Sequence, residues 1–276
     1  MKAHKALKYI VLALVFALGL VLLLPKGGQE ATRPRDWTEI ASSDTLRATT
    51  EYNQQSYFAS GDSVTGFHYE LLQAFAHSHG LTASIVPEMS HEKRLEGLAE
   101  GRFDVVAYGI PTTTELRDSL AFTRPILLDK QILVQRRDTA PAGDSLFVGS
   151  LLELAGRTVH VVKGSPAILR IHNLEDEIGD TIYIKEMEQY GTEQLVALVA
   201  HGDIDYAICE EEIAASLADD LPQIDITTAI GFTQFYSWAV NKHSTALLDS
   251  LNTWLDSYLK TKECKSLYRK YGKHIP

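Results

Sequence analysis

Hydrophobic positions along the chain follow two alternating spacings, which predicts an α/β body. Gly66–His79 repeats apolar residues at helical spacing and is ended by Gly80, while Phe103–Ala107 is a short apolar run typical of a buried strand. Further strands are predicted at Thr45–Thr50, Leu81–Val86, Ile132–Gln135, Arg157–Val162, Ile182–Ile184, Ile204–Cys209 and Gln234–Val240, and further helices at Arg94–Glu100, Ser165–His172, Thr192–Ala200, Ala246–Tyr258 and Glu263–Tyr271.

This order of elements occurs twice along the body. Leu98–Asp104 and Val199–Asp205 each close a helix with glycine and lead into a strand that contains aspartate. The duplication predicts two similar α/β lobes. We assign residues 44–135 and 231–276 to lobe 1 and residues 136–230 to lobe 2, with crossings near Arg136–Ser145 and Thr227–Phe235. Sites in α/β folds lie at the carboxyl ends of strands, which here face a cleft.

The N-terminus has the pattern of an export signal. Three lysines precede the apolar run Tyr9–Leu24, and Pro25–Gly28 ends it. No cysteine suited to lipid attachment and no typical peptidase site follow, which favours a membrane anchor over a cleaved signal peptide within residues 1–28. The basic flank places the body on the extracytoplasmic, periplasmic side of the inner membrane. Residues 29–43 are polar and are predicted to form a linker.

Composition narrows the classes of function. The chain of 276 residues is 45% hydrophobic and 22% charged, which is typical of a globular protein. Its formal net charge of −10 opposes nonspecific binding to nucleic acid. The phosphate-binding loops, nucleophile elbows and metal-binding spacings of common enzymes are missing from the sequence. We therefore expect no catalytic residues, no metal and no cofactor.

From Thr45 to Tyr271 the chain resembles the family 3 extracellular solute-binding proteins. The resemblance rests on the helix entry Gly66–Leu71, the paired steps Gly101–Asp104 and Gly202–Asp205, the segments Thr114–Arg117 and Phe122–Pro125, and the turn Gly164-Ser165. Within that family, the residues at Tyr69–Leu71, Ile204–Tyr206 and Trp238-Ala239 are most similar to the non-catalytic N-terminal domain of membrane-bound lytic murein transglycosylase F. The resemblance implies a type II periplasmic-binding-protein fold, a Venus flytrap that closes by hinge motion.

Arg117 is the first candidate ligand-binding residue. Its guanidinium fork matches a carboxylate in two hydrogen bonds, and Thr112 and Thr114 before it offer further hydroxyl groups. Ser165 is expected to cap a helix whose N-terminus attracts an anion. The alternatives are a solvated arginine at a helix start and a serine that only caps its helix.

Glu210 is the candidate for the other end of a ligand, since the family position implies that it accepts a ligand amino group. Glu51, Gln54 and Tyr57 lie in the loop after the first strand, where the family supplies a polar contact and an aromatic wall. Thr192 opens a predicted helix and is expected to face the cleft. The alternatives are an acidic helix start at Glu210, ordinary surface polarity in the loop, and capping alone by Thr192.

Two cysteines, Cys209 and Cys264, form an even pair in an exported chain, a pattern that invites a disulfide. The resemblance places Cys209 in a strand of lobe 2 and Cys264 near the chain end, in lobe 1. A disulfide needs Cα atoms within about 7 Å of each other. We therefore predict two separate thiols.

These features predict an extracytoplasmic solute-binding protein that closes around a small polar ligand, namely an amino acid, a short peptide or a cell-wall fragment. Its role is then ABC-type uptake through a permease, or sensing. Two alternatives stay open. One is a regulatory partner of a lytic transglycosylase, a cell-wall enzyme. The other is an enzyme similar to cyclohexadienyl dehydratase, with Glu210 as its general acid.

Overall fold

Two mixed β-sheets form the framework of the body. The computed structural model describes residues 33–137, 146–273 and 275–276, apart from the side chain of Glu115. Its strands are β1 (Thr45–Thr50), β2 (Phe58–Ser60), β3 (Ser63–Thr65), β4 (Thr82–Pro87), β5 (Val105–Pro111), β6 (Leu120–Phe122), β7 (Leu127–Asp129), β8 (Gln131–Arg136), β9 (Thr158–Val162), β10 (Tyr183–Met187), β11 (Tyr206–Glu210), β12 (Ile224–Ala229) and β13 (Gln234–Asn241).

The two sheets define two lobes. The sheet of lobe 1 has the order β4-β1-β5-β13-β6, with β7 also paired to β13. The sheet of lobe 2 has the order β10-β9-β11-β8-β12, and β2 and β3 form a separate hairpin. In lobe 1, β1 pairs in parallel with β4, and in lobe 2, β9 pairs in parallel with β10. The strands that come from the other part of the chain, β13 and β8, pair antiparallel with β5 and β11. This repeated arrangement matches the duplication of elements in the sequence.

Helices connect the strands. They are α1 (Trp37–Ser42), α2 (Phe67–Ser78), α3 (His91–Ala99), α4 (Thr114–Arg117), α5 (Ala167–Ile178), α6 (Thr192–His201), α7 (Glu211–Leu217), α8 (Thr245–Tyr258) and α9 (Lys262–Lys270). In α2, Leu71, Leu72 and Phe75 are buried at helical spacing. Gly202 ends α6 with a φ of +85°, in the left-handed region that glycine adopts without strain.

The first crossing between the lobes differs from the sequence-based expectation. β8 pairs antiparallel with β11 and β12, so Gln131–Arg136 belongs to lobe 2, and the chain leaves lobe 1 at Lys130. The predicted crossing near Arg136–Ser145 lay too late, because an apolar run predicts a buried strand but not the sheet that the strand joins. The second crossing, between β12 and β13, lies inside the predicted segment Thr227–Phe235.

The described part of the predicted linker belongs to the body, which corrects that prediction. Ile40 on α1 has no exposed surface, and Asp36 caps the start of α1. Arg35 Nε donates to the buried Asp104 Oδ1 at 3.0 Å. The predicted anchor Tyr9–Leu24 and the rest of residues 1–32 lie outside the described residues. Among those described, no helix is both long and apolar enough to cross a membrane.

The two cysteines lie in different hydrophobic cores. Cys264 is buried in the core of lobe 1, which is centred on Phe75 and Trp238. Cys209 is buried in lobe 2, between α6 and the sheet. Both are free thiols in this structure. The two cysteines lie in separate cores because β11 belongs to lobe 2 and α9 belongs to lobe 1.

Candidate functional site

Three buried carboxyl groups, contributed by both lobes, form the centre of the candidate site. Glu51 follows β1, Asp129 ends β7 and Glu210 ends β11, and their exposed fractions are 2%, 6% and 8%. We call these residues the acidic cluster. No described cation lies within salt-bridge distance of Asp129 or Glu210. The cluster therefore contains more buried carboxyl groups than nearby cations, so ionising all three would be costly in a protein interior.

Arg94, on α3, is the cation beside the acidic cluster. Its Nη2 lies 3.8 Å from Glu51 Oε2, and its guanidinium carbon lies 4.7 Å from the ring centre of Tyr108. Its Nη1 donates to the backbone oxygens of Glu88 and Met89. Nη1 of Arg94 is thus engaged, whereas its Nε has no hydrogen-bond partner among the described residues, and the side chain neutralises one carboxylate of the cluster.

A buried polar side chain without hydrogen-bond partners lies beside the acidic cluster. Gln131 is 1% exposed, and neither polar atom of its side chain has a partner among the described residues. It lies opposite Glu210 in the β8–β11 register, so the two side chains share one face of the sheet. Unpartnered buried atoms are also present on the described side chains of Thr49, Thr50, Asn53, Gln55 and Arg94. An unpaired buried group costs about 1–3 kcal/mol, so the unpartnered Gln131 beside Glu210 indicates a place where a ligand can bind.

Burial raises the pKa of two carboxyl groups in the acidic cluster. The pKa of Glu210 rises to about 8, first because burial disfavours the charged form and then because Asp129 and Glu51 repel a further negative charge. The pKa of Asp129 rises to about 7, chiefly through burial, while Lys273 opposes the rise. A positively charged group bound here would stabilise the ionised forms of both.

The lobes touch each other beside the acidic cluster. The backbone N–H of Gln54 donates to Glu193 Oε1 at 2.8 Å, and that of Thr192 donates to Glu51 Oε1 at 3.5 Å. A Cβ at Gly191 would meet the terminal methyl group of Met89, the flexible end of a side chain, which would have to shift. The lobes are therefore closed at this edge of the cleft.

A cavity of about 330 Å³, which we call the interlobe cavity, lies between the lobes, and none of its lining residues belongs to the acidic cluster. Lobe 1 lines it with His91, Thr113 and Leu116, and lobe 2 lines it with Gly164, Ser165, Pro166, Ile168, Leu169 and His172. His91 and Arg94 are neighbours on α3, and both contact the ring of Tyr108. The Tyr108 ring is thus the side chain between the cavity and the cluster.

Comparison with known proteins identifies the family. The model of the bacterial extracellular solute-binding proteins, family 3, matches residues 46–274. The chain belongs to this family. The resemblance drawn from the sequence motifs is thereby confirmed.

Sequence relatives of this family 3 protein include a membrane-bound lytic murein transglycosylase F from Photobacterium profundum. The two are 28% identical over 270 residues, which cover 95% of this chain and 50% of the relative. The chain spans about half the length of the curated relatives it matches.

Solved structures with the same architecture come from amino-acid-binding proteins. A mutant of ArgBP from T. maritima superposes with a TM-score of 0.72 at 22% identity, covering 85% of this chain and 98% of that chain. The ancestral amino acid-binding protein AncCDT-1, described as a precursor of cyclohexadienyl dehydratase, gives the same TM-score, identity and coverage. These likenesses confirm the two-lobed α/β fold class.

The structure brings part of the predicted ligand-binding set together. Glu51 and Glu210 lie in the acidic cluster, and Gln54 and Thr192 make the closing contacts beside it. Ser165 lines the interlobe cavity, and its Oγ accepts from the backbone N–H of Ala167 at 3.1 Å. These residues come from the ends of separate strands and helices, as expected for a cleft site.

The remaining predicted residues do not join the acidic cluster. Arg117 is exposed at the end of α4, with its guanidinium carbon 6.0 Å from the ring centre of Phe122. Thr114 is exposed and Thr112 is half-buried. Tyr57 packs edge-on against another tyrosine of lobe 1, Tyr69, with ring centres 5.5 Å apart. None of these four predicted residues lines the interlobe cavity.

Sequence reasoning missed four residues around the acidic cluster: Arg94, Asp129, Gln131 and Tyr236. Asp129 and Gln131 flank the crossing at Lys130, and a polar triplet between apolar strands was a usable signal for a hinge. Arg94 and Tyr236 had no such signal, since a lone arginine in a helix and a tyrosine in a strand are ordinary surface and core residues.

Proposed function

We propose that this protein is an extracytoplasmic, non-catalytic binding protein whose lobes close around a small ligand that carries a positively charged nitrogen. The observation that carries this proposal is the buried carboxyl group of Glu210, which lacks a cation partner among the described residues. Amino acids, short peptides and cell-wall fragments with a free amine all have the required group. Uptake through a permease or sensing is then the role of the closed complex.

The geometry supports a direct contact between the ligand nitrogen and Glu210. The neighbouring Gln131 amide is buried and has no hydrogen-bond partner among the described residues, so a bound ligand can satisfy it together with Glu210. A hydrogen bond to a charged group contributes about 1.5–3 kcal/mol, which corresponds to roughly ten- to hundredfold in affinity. The structural neighbours include an ancestral amino acid-binding protein and an ancestral arginine-binding protein, which agrees with an amine-bearing ligand.

Thermal-shift screening of the full chain tests this proposal, with amino acids, short peptides, muropeptides and simple amines as the panel. A ligand at about 100 times its dissociation constant adds about 2.7 kcal/mol to the free energy of unfolding. Glu210→Gln should lose most of that stabilisation, whereas the control Asp176→Asn, an exposed acid on α5, should keep it. The proposal fails if no member stabilises the protein, or if both variants respond like the wild type.

The sequence relatives favour a second candidate. Because the relatives are membrane-bound lytic murein transglycosylases, the same closing body is suited to binding a wall fragment and regulating such an enzyme. Adding the purified protein to a lytic transglycosylase acting on isolated cell wall tests this candidate. A change in the rate of muropeptide release, absent with Glu210→Gln, supports it, and an unchanged rate contradicts it.

A further inference from the structure

Two hydrogen bonds cross the cleft in opposite directions. Glu193, in the first turn of α6 on lobe 2, accepts from the backbone N–H of Gln54 on lobe 1 at 2.8 Å. Glu51 on lobe 1 accepts from the backbone N–H of Thr192 on lobe 2 at the longer distance of 3.5 Å. Each lobe thus supplies one carboxylate and one backbone donor. We call these two hydrogen bonds the closing contacts, and together they constrain both the separation and the relative orientation of the lobes.

Each side of the closing contacts is held rigidly within its own lobe. In the lobe 1 loop, the side chain of Asn53 accepts from the backbone N–H of Ser56 at 2.6 Å, and Asn53 and Tyr57 exchange two backbone hydrogen bonds of 3.1 and 3.0 Å. In lobe 2, the side chain of Gln194 accepts from the backbone N–H of Gly191 at 2.9 Å and fixes the start of α6. The closing contacts therefore form and break through movement of whole lobes rather than through rearrangement of a loop.

The charges around the closing contacts give Glu51 and Glu210 different surroundings. The start of α6 carries the partial positive charge of the helix dipole, which favours both carboxylates that approach it. Glu51 Oε1 accepts from Thr192, and Glu51 Oε2 lies 3.8 Å from Nη2 of Arg94, so each oxygen of Glu51 has a partner in the protein. Glu210 has no described cation within salt-bridge distance. Glu51 is thus already engaged in the ligand-free protein, whereas Glu210 is free to contact a ligand.

Another contact between the lobes lies at the hinge. Lys273 of lobe 1 pairs with Glu212 on α7 of lobe 2. The backbone N–H of the neighbouring Glu211 donates to the backbone oxygen of Lys130 at 2.9 Å, which places this pair beside the first crossing. A hinge rotation changes distances least near a crossing. Gln54 and Glu193 belong to neither crossing, so rotation of the lobes separates them.

We propose that Glu193 is a positioning residue, which holds the lobes closed through the N–H of Gln54 without contacting the ligand, and that Glu51 is its partner in closure. This inference deepens the proposed function, because it assigns closure to Glu193 and Glu51 and leaves recognition to Glu210. It also means that the ligand-free protein populates the closed form, so an opening step precedes the entry of a ligand.

Residue-resolved hydrogen exchange of the ligand-free full chain tests this inference. The amide of Thr192 is 5% exposed and is bonded to Glu51, so its exchange requires the lobes to separate. In Glu193→Ala this amide should exchange about tenfold faster, the lower end for loss of a hydrogen bond to a charged group, because Glu193 is only half-buried. The amide of Leu195, which donates within α6 to Gly191, should keep its wild-type rate.

Two further variants separate closure from a local effect. Glu193→Gln keeps an acceptor oxygen and should stay within about threefold of the wild-type rate at Thr192. Asp203→Ala, which removes an exposed acid of lobe 2, should behave like the wild type. Faster exchange at Gln54 alone would overturn the inference, because it reports only the lost acceptor. Faster exchange at Leu195 as well as Thr192 would also overturn it, because it reports fraying of α6.

The exchange experiment needs no ligand, so its failure is distinct from failure of the proposed function. If the thermal-shift panel finds a ligand but Thr192 exchanges in Glu193→Ala as in the wild type, the binding function stands and the role of Glu193 is wrong. If Thr192 responds as expected but no panel member stabilises the protein, the closing contacts stand and the proposed function fails.

Discussion

The buried carboxyl group of Glu210 should make the ligand-free protein less stable as the pH rises. In the folded protein its pKa is about 8, above the ordinary value of 4.5, so folding favours the protonated form. The resulting contribution of Glu210 to the free energy of unfolding is fully present below pH 4.5 and is lost as the pH rises through 8. At about 1.4 kcal/mol per pKa unit, the loss between pH 5 and pH 7 is about 2–3 kcal/mol from Glu210. Asp129, whose pKa rises to about 7, acts in the same direction.

Thermal unfolding of the ligand-free protein between pH 5 and pH 8 measures this effect. For a protein of this size about 1 kcal/mol shifts the midpoint by roughly 2–4 °C, so the wild type should lose about 5–10 °C between pH 5 and pH 7. Glu210→Gln should lose distinctly less, because the variant has no proton to release at this position. Burial lowers the pKa of Lys273 to about 8, so deprotonation of Lys273 changes the stability only near and above pH 8. Equal pH slopes for wild type and variant would refute the assignment of an unpaired, buried Glu210.

Three further outcomes follow from the packing of the two lobes. Asp104→Asn should lower the free energy of unfolding by about 3 kcal/mol in urea titrations, because Arg35 and Arg47 both pair with this buried carboxylate; a loss below about 1 kcal/mol would contradict that role. Gly191→Ala should leave ligand affinity within about threefold, because the terminal methyl of Met89 that meets the added Cβ is the end of a flexible side chain and can shift; a tenfold loss would show that this contact cannot relax. Thiol labelling without reductant should modify both Cys209 and Cys264 only after unfolding, whereas two unreactive cysteines in the unfolded chain would indicate a disulfide.

The sequence predicted those parts of the structure that depend on local pattern. The helix Gly66–His79 and the glycine ends of the paired helices follow from apolar spacing and from the conformational freedom of glycine. The sheet joined by Gln131–Arg136 did not follow, because the apolar residues of β8, Ile132–Val134, fit either core. Residues 33–43 have the composition of a linker because their one core side chain, Ile40, is flanked in the sequence by polar residues. In the structure these polar residues cap α1 and form ion pairs.

The candidate site was predictable where a residue ends a strand or begins a helix. Glu51, Thr192 and Glu210 lie at such positions, and topology places them at the cleft. Arg117 follows a short irregular segment, and the position of its side chain depends on the length of that segment rather than on a repeating pattern. Arg94 and Gln131 became candidates only through burial and missing partners, which are properties of the folded chain.

Proton release on ligand binding tests the central claim most directly. Calorimetry of a bound amine at pH 6.5, in two buffers of different ionisation enthalpy, gives the number of protons exchanged. Because a cation beside the acidic cluster favours its ionised form, the wild type should release at least one proton per ligand, and Glu210→Gln should release about one fewer. Tight binding to the wild type with no proton released would contradict a ligand nitrogen at Glu210.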